Sequence, residues 1–208
     1  MRLIDLTHTF DETIPLYPGD PVPEIRKLAE LSGTGYMLSE VCTGMHAGTH
    51  MDAPLHMIAG DKCISELPVE KFIGRGVIID ARNRKKIDAG LLEGVNPGRG
   101  DIVLVLTGFS AKLREPAYFL DHPQVTLSFA KILVEAGISI LGLDTPGPDR
   151  APFTVHRRLL SGGVLIVENL TNLESLVGVR EFEVFALPAK YKTEAAPVRV
   201  IARVIEDS

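Results

Sequence analysis

The sequence predicts a mixed α/β domain in which strands and helices alternate through the middle of the chain. Short apolar, β-branched runs recur along the sequence, and each is bounded by Gly, Pro, Asp or Asn, as strands usually are. Stretches with helical spacing lie between the central runs, whereas further strands occupy both ends. The length of 208 residues, with 45% hydrophobic and 24% charged residues, suits one globular domain spanning residues 1–208.

Eight strands and three helices are predicted in chain order. The strands are expected at residues 3–7, 36–43, 77–80, 102–106, 138–143, 164–167, 182–187 and 198–204. The clearest helix covers residues 126–137, where Thr126 has a side chain suited to the N-cap and Gly137 provides a C-terminal stop. Residues 87–94 and 154–161 are shorter helical candidates.

Composition and charge argue against several classes of partner. The formal net charge of −5 disfavours a nucleic-acid partner, and residues 82–86 are expected to form only a solvated basic turn. The sequence has neither a signal-like opening segment nor an apolar run of membrane-spanning length, so we expect no membrane association and a cytoplasmic location. Cys42 and Cys63 have no metal-type spacing and are expected to be buried, small apolar residues.

Residues 46–56 contain half of the six histidines of the chain. The ligand-type side chains of this segment are His46, His50, Asp52 and His56. On an extended strand His50 and Asp52 would lie about 7 Å apart on one face, but His46 and His50 would be about 13 Å apart. A bend is therefore expected at Gly48-Thr49, because a glycine and a proline in the segment disfavour a regular helix. The pattern predicts a divalent metal site on a bent segment leaving a strand, and a purely structural histidine cluster is the alternative.

The chemistry of these ligands indicates the ion and the reaction. Histidine and carboxylate without thiolate suit Zn²⁺ first and Mn²⁺ second. Such an ion lowers the pKa of bound water from about 15.7 to about 7, and it also stabilises the oxyanion formed in amide hydrolysis. The sequence contains no Gly-x-Ser-x-Gly motif for a competing serine nucleophile.

Further ligand-type residues occur beyond this segment. Asp144 and Glu168 each follow an apolar run directly, and His156 lies in a short helical candidate. An acidic residue at a strand end either forms a turn or faces a cleft, and spacing leaves both possibilities open. Arg150, Arg157 and Arg158 are candidates for binding a substrate carboxylate, but equally for a solvated surface.

Residues 46–56 (HAGTHMDAPLH) resemble the HxGTHxDxPxH signature of the metal-dependent cyclase family, which includes bacterial kynurenine formamidases and isatin hydrolases. The similarity extends to residues 17–21 (YPGDP), 142–146 (GLDTP), His156 with residues 168–170 (ENL), 185–188 (FALP) and 197–199 (PVR). The resemblance implies the family's swivelling β/β/α fold, a mixed sheet with flanking helices. It also implies a homo-oligomer, either a dimer or a tetramer.

The resemblance further implies a two-metal site. His46, His50 and Asp52 would hold a first ion. Asp52 would bridge to a second ion held by His156 and Glu168. Some members of the family use a single manganese ion instead.

Two further residues receive roles from the resemblance. His56 would be the general acid/base. Kynurenine formamidases of this type usually have tryptophan in the N-terminal segment, against which the aromatic substrate rests. This chain has no tryptophan, and Tyr17 stands there. Because tyrosine also stacks on aromatic rings, Tyr17 is the expected substrate-binding residue.

The resemblance leads to three functional hypotheses for a small-molecule amide substrate. The first is an arylformamidase of the kynurenine pathway of tryptophan catabolism, which cleaves N-formyl-kynurenine to kynurenine and formate. The second is a hydrolase of a cyclic amide or lactone with the same metal chemistry. The third is a catalytically inactive domain that binds metal or ligand.

Overall fold

The structure, a computed structural model, describes residues 1–205 as twelve β-strands, four α-helices and short 3₁₀ helices. The strands are β1 (Arg2–Asp5), β2 (Glu24–Ala29), β3 (Leu38–Cys42), β4 (His50–Asp52), β5 (Ile73–Asp80), β6 (Lys86–Ile87), β7 (Ile102–Leu106), β8 (Gln124–Val125), β9 (Ile140–Leu143), β10 (Leu165–Glu168), β11 (Phe182–Pro188) and β12 (Ala195–Val204). The helices are α1 (Leu31–Thr34), α2 (Tyr118–Asp121), α3 (Leu127–Ala136) and α4 (Thr154–Ser161). The mixed α/β class is confirmed.

Eight strands form one mixed sheet in the order β1-β12-β11-β5-β7-β9-β10-β4. Strand β4 also pairs with β12, so the seven strands from β12 to β4 close into a barrel-like ring, and β1 is added along β12. Strands β5, β7, β9 and β10 pair in parallel, whereas the remaining pairings of this sheet are antiparallel. Ring closure brings β4 beside β10, although these strands are far apart in sequence.

The central strand β7 is buried on both faces, as is usual where helices cover a parallel sheet. Ile102 and Leu104 belong to the apolar cluster enclosed by the ring. Val103 and Val105 belong to a second cluster, which includes Phe129 of α3 and residues of α4. The two clusters explain why this strand reads as an uninterrupted apolar run.

The two longer helices cover the outer face of the ring. In α3, Thr126 accepts a hydrogen bond from the backbone N–H of Phe129, and Gly137 ends the helix with a left-handed φ of 72°. Both predicted caps and the predicted helix at residues 154–161 are therefore confirmed. In the part of the chain that the structure describes, no helix has the length and apolar content needed to cross a bilayer.

The predicted helix at residues 87–94 is wrong. Strand β6 ends at Ile87, and only a 3₁₀ helix, Ala89–Leu92, follows. The Asp88 side chain accepts a hydrogen bond from the backbone N–H of Gly90, and two glycines within eight residues disfavour a longer helix. Apolar spacing over so short a segment did not distinguish a helix from a strand with a turn.

Strands β2 and β3 form a separate antiparallel hairpin, here called the β2–β3 hairpin (residues 24–42). The predicted strand at residues 36–43 is confirmed as β3, whereas β2, with the mixed charged and apolar sequence EIRKLA, was not predicted. Every residue of β3 is exposed. Cys42 is among them, so the predicted burial of Cys42 is wrong. Cys63 is buried as expected.

Candidate metal centre

Strand β4 carries two residues of the predicted metal motif. In its antiparallel register with β10, His50 lies opposite Glu168. Asp52 lies opposite Ile166 in the same register. Because residues two apart share a face and cross-strand partners point to the same side, His50, Asp52 and Glu168 lie on one face. Met51 belongs to the enclosed cluster and Ile166 to the helix-covered cluster, so this face is the outer one.

The predicted bend between the first two histidines is confirmed. Gly48 has a φ of 67°, a conformation that glycine adopts without strain. The chain therefore turns sharply before β4 begins, and His46 Nδ1 lies 3.1 Å from His50 Nε2. The bend achieves what an extended strand could not, since it places both rings within reach of one ion.

Three ligand-type atoms converge at this bend: His46 Nδ1, His50 Nε2 and Asp52 Oδ1. Oδ1 lies 3.1 Å from the first nitrogen and 3.4 Å from the second. In a tetrahedral zinc site with bonds of about 2.0–2.1 Å, ligand atoms lie about 3.3–3.4 Å apart. Within residues 1–205, neither buried oxygen of Asp52 accepts a hydrogen bond, which is costly unless a cation is near. The donor set therefore fits a divalent ion of the zinc type.

The remaining nitrogen of each histidine is held by another group. His50 Nδ1 lies 2.9 Å from the carbonyl of Gly48, and because a carbonyl only accepts, Nδ1 carries the proton. His46 Nε2 faces the carboxylate of Glu194 at 3.6 Å. Such partners orient metal-binding imidazoles and leave the other nitrogen free to bind.

A second carboxylate connects this cluster to α4. Glu168 Oε2 lies 3.4 Å from His50 Nε2, and its Oε1 lies 3.1 Å from His156 Nε2. The other nitrogen of His156, Nδ1, lies 2.5 Å from Oδ1 of Asp149, which precedes α4. The structure thus brings His156 and Glu168 to the motif, and Glu168 faces a histidine with each oxygen.

His56 follows β4 in the 3₁₀ helix Pro54–His56. Its ring centroid lies 4.3 Å from that of His46 and 6.1 Å from that of His156. Ligand atoms of His46, Asp52 and His56 all lie within 4.8 Å of one another, so the geometry also permits His56 to bind an ion. Burial lowers the pKa of His56, which favours a neutral ring at neutral pH.

The buried groups of the cluster have strongly shifted pKa values. Burial by itself lowers the pKa of His50, but the facing carboxylates of Asp52 and Glu168 raise it well above its usual value. Burial acts to raise the pKa of Asp52, yet the rings of His46 and His50 hold it well below. For His156 burial again opposes its carboxylate partners, which raise its pKa to about 10. The carboxylates are therefore ionised, and a bound cation would displace protons from the imidazoles.

A cavity of about 210 Å³ borders the cluster. His46, His56 and Glu168 contribute to its wall on the side of the candidate ligands. Tyr17 and Phe119 contribute aromatic rings that meet edge to face with centroids 5.9 Å apart. Ligand pockets for drug-sized molecules usually measure about 300–1,000 Å³, so this cavity favours a small substrate.

The structure answers two questions that spacing left open. Asp144 is fully buried and accepts hydrogen bonds from the backbone N–H groups of Thr107 and Gly108, so it joins the ends of β7 and β9. Among the three candidate arginines, Arg150 borders the cavity, whereas Arg157 and Arg158 do not contribute to its wall.

Sequence reasoning missed three residues around the cavity. Asp149 holds His156, and Asn169 donates from Nδ2 to the carbonyl of Gly48, which connects β10 to the bend. His122, buried in the cavity wall, was not singled out either. Asn169 adjoins Glu168 in the family-like segment, which was a usable signal, but no local pattern pointed to Asp149 or His122.

Comparison with known proteins agrees with the resemblance found in the sequence. Residues 4–150 match the model of the family described as "Putative cyclase". Because this match covers more than half of the chain, the chain belongs to the cyclase family.

Individual relatives cover nearly the whole chain. An uncharacterised protein of Methanocaldococcus jannaschii is 34% identical over 97% of this chain and 99% of its own length. A kynurenine formamidase of Bacillus cereus is 29% identical over 97% of both chains.

Solved structures show the same fold. Isatin hydrolase A from Labrenzia aggregata matches with a TM-score of 0.87 and 25% identity, covering 99% of this chain and 94% of that one. A protein described as a "predicted metal-dependent hydrolase from Bacillus stearothermophilus" matches with a TM-score of 0.77 and 30% identity, covering 97% of both chains. The named relatives of this chain are thus hydrolases, some of them described as metal-dependent.

Proposed function

We propose that this protein is a metal-dependent amide hydrolase, acting as an arylformamidase that converts N-formyl-kynurenine to kynurenine and formate. The observation that carries the proposal is the convergence of His46, His50 and Asp52 beside a cavity, with neither oxygen of Asp52 hydrogen-bonded within residues 1–205. Similarity to a kynurenine formamidase over 97% of both chains supports this substrate. The reaction would belong to the kynurenine pathway of tryptophan catabolism in the cytoplasm.

The proposed cofactor is Zn²⁺, with Mn²⁺ as the alternative, and the proposed stoichiometry is two ions. His46, His50 and Asp52 would hold the first, and His156 and Glu168 would hold the second. Asp52 is the proposed shared ligand, and Glu168 is the other candidate for sharing because it faces both His50 and His156. When bound, the ions supply Lewis acidity that activates water and stabilises developing negative charge.

His56 is the proposed general acid/base. Its lowered pKa leaves the ring unprotonated near neutral pH, so it can accept a proton as water adds to the formyl carbon. It then donates that proton to the amine nitrogen as the C–N bond breaks, which releases kynurenine and formate. Tyr17 is proposed to contact the aromatic ring of the substrate, with Phe119 supporting it from the side.

A cyclic amide or lactone is the alternative substrate class. The TM-score of 0.87 to an isatin hydrolase favours it, as does the lack of tryptophan in this chain. A catalytically inactive metal- or ligand-binding domain is the third possibility.

The decisive experiment combines metal analysis with two assays on one preparation. We expect about two equivalents of zinc or manganese per chain and faster hydrolysis of N-formyl-kynurenine than of isatin. The Asp52→Ala variant should lose both bound metal and activity. Preference for isatin would establish the alternative substrate class, whereas metal binding without cleavage of any amide or lactone in a broad panel would identify an inactive domain. A wild-type protein that binds no metal would contradict the whole proposal.

We also propose that the protein is a homo-oligomer, either a dimer or a tetramer. The β2–β3 hairpin supports this because large apolar side chains on it are exposed: Leu28 by 57%, Leu38 by 46% and Val41 by 55%. Several exposed large apolar side chains on one hairpin favour this element as an interface between proteins.

A further inference from the structure

Arg150 is a cationic side chain in the cavity wall, and only some of its hydrogen-bond donors have partners. Its Nη2 donates to the backbone carbonyl of His122 at 3.0 Å. Within residues 1–205, its buried Nε has no hydrogen-bond partner, so the contact of Nη2 is the one hydrogen bond described for this side chain. Other arginines are paired with carboxylates, namely Arg75, Arg82, Arg199 and Arg203. A partly buried guanidinium with unused donors is stabilised when an anion binds to it.

His122 adds a second polar group at the same place. Its side chain is only 4% exposed, and neither ring nitrogen has a partner among the described residues. Burial, together with the charge of Arg150, lowers the pKa of His122 to about 4. The ring is therefore neutral at pH 7, offers one N–H donor and adds no charge that would repel Arg150.

The carboxylates near Arg150 are committed elsewhere or exposed. Asp149 accepts from the backbone N–H of Val155 with Oδ2 and faces His156 with Oδ1. Glu168 faces two histidines. Asp20, which also borders the cavity, and Asp121, which directly precedes His122, are exposed. An anion supplied from outside is thus the partner that the free donors of Arg150 lack.

The surroundings increase the positive potential at this wall. Arg150 and His122 also border a second cavity, of about 740 Å³, whose wall carries Arg84, Lys85 and Lys112 against one acidic residue, Asp121. Clustered positive charge attracts anionic ligands and raises their local concentration.

We propose that Arg150 and His122 form a carboxylate-binding subsite in the wall of the candidate active-site cavity. The planar guanidinium matches the two oxygens of a carboxylate, and the neutral imidazole donates one further hydrogen bond. This inference rests on the proposed function and specifies its substrate class: an amide that carries a carboxylate apart from the bond being cleaved. N-formyl-kynurenine carries such a carboxylate on its amino-acid side chain, whereas isatin carries none.

Binding of two probes to the metal-loaded protein tests the subsite without catalysis. The first probe is kynurenine, and the second is 2-aminoacetophenone, which has the same aryl ketone without the α-amino and carboxylate groups. Calorimetry should show wild-type protein binding kynurenine at least about tenfold more tightly than the second probe, because the second probe cannot form the charge-assisted hydrogen bonds to Arg150. Equal affinity for the two probes, or no binding of kynurenine, would overturn the subsite.

Two variants and a matched control test whether the tighter binding of kynurenine depends on Arg150. Arg150→Gln should weaken kynurenine binding by about 10–100-fold and leave 2-aminoacetophenone unchanged. Arg150→Lys should restore part of the loss, since it keeps the charge but not the planar fork. Arg157→Gln, an exposed arginine outside the cavity wall, should change neither affinity. Metal content and the unfolding midpoint should match wild type in all three. Equal weakening of both probes by Arg150→Gln would contradict a carboxylate subsite.

The same proteins separate failure of the subsite from failure of the proposed function. Arg150-dependent binding of kynurenine without hydrolysis of N-formyl-kynurenine would retain the subsite and reject the arylformamidase. Hydrolysis of N-formyl-kynurenine with a KM that Arg150→Gln leaves unchanged would retain the enzyme and reject the subsite.

Discussion

At the scale of residues, each candidate histidine ligand is oriented by a partner on its far nitrogen. His50 uses the carbonyl of Gly48, His156 uses Asp149, and His46 faces Glu194. A fixed tautomer and ring orientation lower the conformational cost of binding an ion. The nitrogens of His46 and His50 that face Asp52, and the nitrogen of His156 that faces Glu168, are therefore positioned without a bound ion.

The role of His56 can be separated from metal binding by one substitution. His56→Ala should lower kcat by about 10²–10⁴-fold while metal content stays near the wild-type value, because a general acid/base acts on the proton alone. Mass spectrometry of the metal and steady-state kinetics measure the two quantities. Loss of an equivalent of metal would instead make His56 a ligand, and full activity would remove it from the reaction.

We expect Asp149 to position His156 for the second proposed ion, which predicts an effect on that ion alone. Asp149→Ala should weaken binding of the second ion by about 10–100-fold, because His156 loses its orienting partner. Binding of the first ion should be retained. Asp149→Asn keeps an acceptor for the backbone N–H of Val155 and serves as the milder comparison. Titration with zinc in competition with a chelator measures both affinities, and unchanged affinity for both ions would contradict the role.

At the scale of elements, strands and helices with strong local signals formed where the sequence indicated. Strand β7 is an uninterrupted apolar run because both of its faces are buried, and α3 begins and ends at its predicted caps. The strands that were not predicted have weak local signals in the sequence. Strand β2 mixes three charged and three apolar residues without strict alternation and is mostly exposed, so it has no clear pattern to detect, and β6 has only two residues.

The N-cap of α3 offers a test of local stability. Thr126→Ala should lower the free energy of unfolding by about 1 kcal/mol, because an orphan N–H at the start of the helix loses its acceptor. Thr126→Ser should retain most of the stability. Glu135→Ala, an exposed position in the same helix, is the control. Denaturant unfolding measures the difference, and a Thr126→Ala protein as stable as its control would show that the cap contributes little.

At the scale of the whole molecule, closure of the ring assembles the candidate site. The cluster joins the bend at Gly48, strand β4, strand β10 and the start of α4, and each supplies one or two of its side chains. Its buried carboxylates repel each other: burial and then the charge of Asp52 act to raise the pKa of Glu168, although two histidines keep that pKa below its usual value. A bound cation would relieve that repulsion and thereby stabilise the fold.

Removal of metal should therefore lower the thermal midpoint. With free metal at about 100 times its Kd, binding contributes about 2.7 kcal/mol, which corresponds to roughly 5–10 °C for a domain of this size. Scanning with and without a chelator measures the shift, and added zinc should reverse it. The Asp52→Ala protein should shift little. An equal shift in Asp52→Ala and wild type would place the stabilising ion elsewhere.

The oligomer prediction belongs to the same scale. Val41→Glu should reduce the molar mass measured by light scattering toward that of one chain, 22.6 kDa, because it places charge in an apolar interface. Leu120→Glu changes a similarly exposed apolar residue, 62% exposed, outside the hairpin and is the control. An oligomer unaffected by Val41→Glu would show that the hairpin does not form the interface, and a wild-type monomer would contradict the oligomer itself.

The sequence by itself determined the local features: the fold class, most strands, the caps of α3 and the bend that brings His46 to His50. These depend on residues that are near neighbours along the chain, where spacing and side-chain chemistry carry the information. Spacing left His156 and Glu168 open, and the family resemblance alone implied them as ligands. Only the tertiary structure shows them at that bend, holds His156 with Asp149 and sets Arg150 beside His122. The physical reason is that strand register and ring closure depend on pairings between distant segments, which local spacing does not encode.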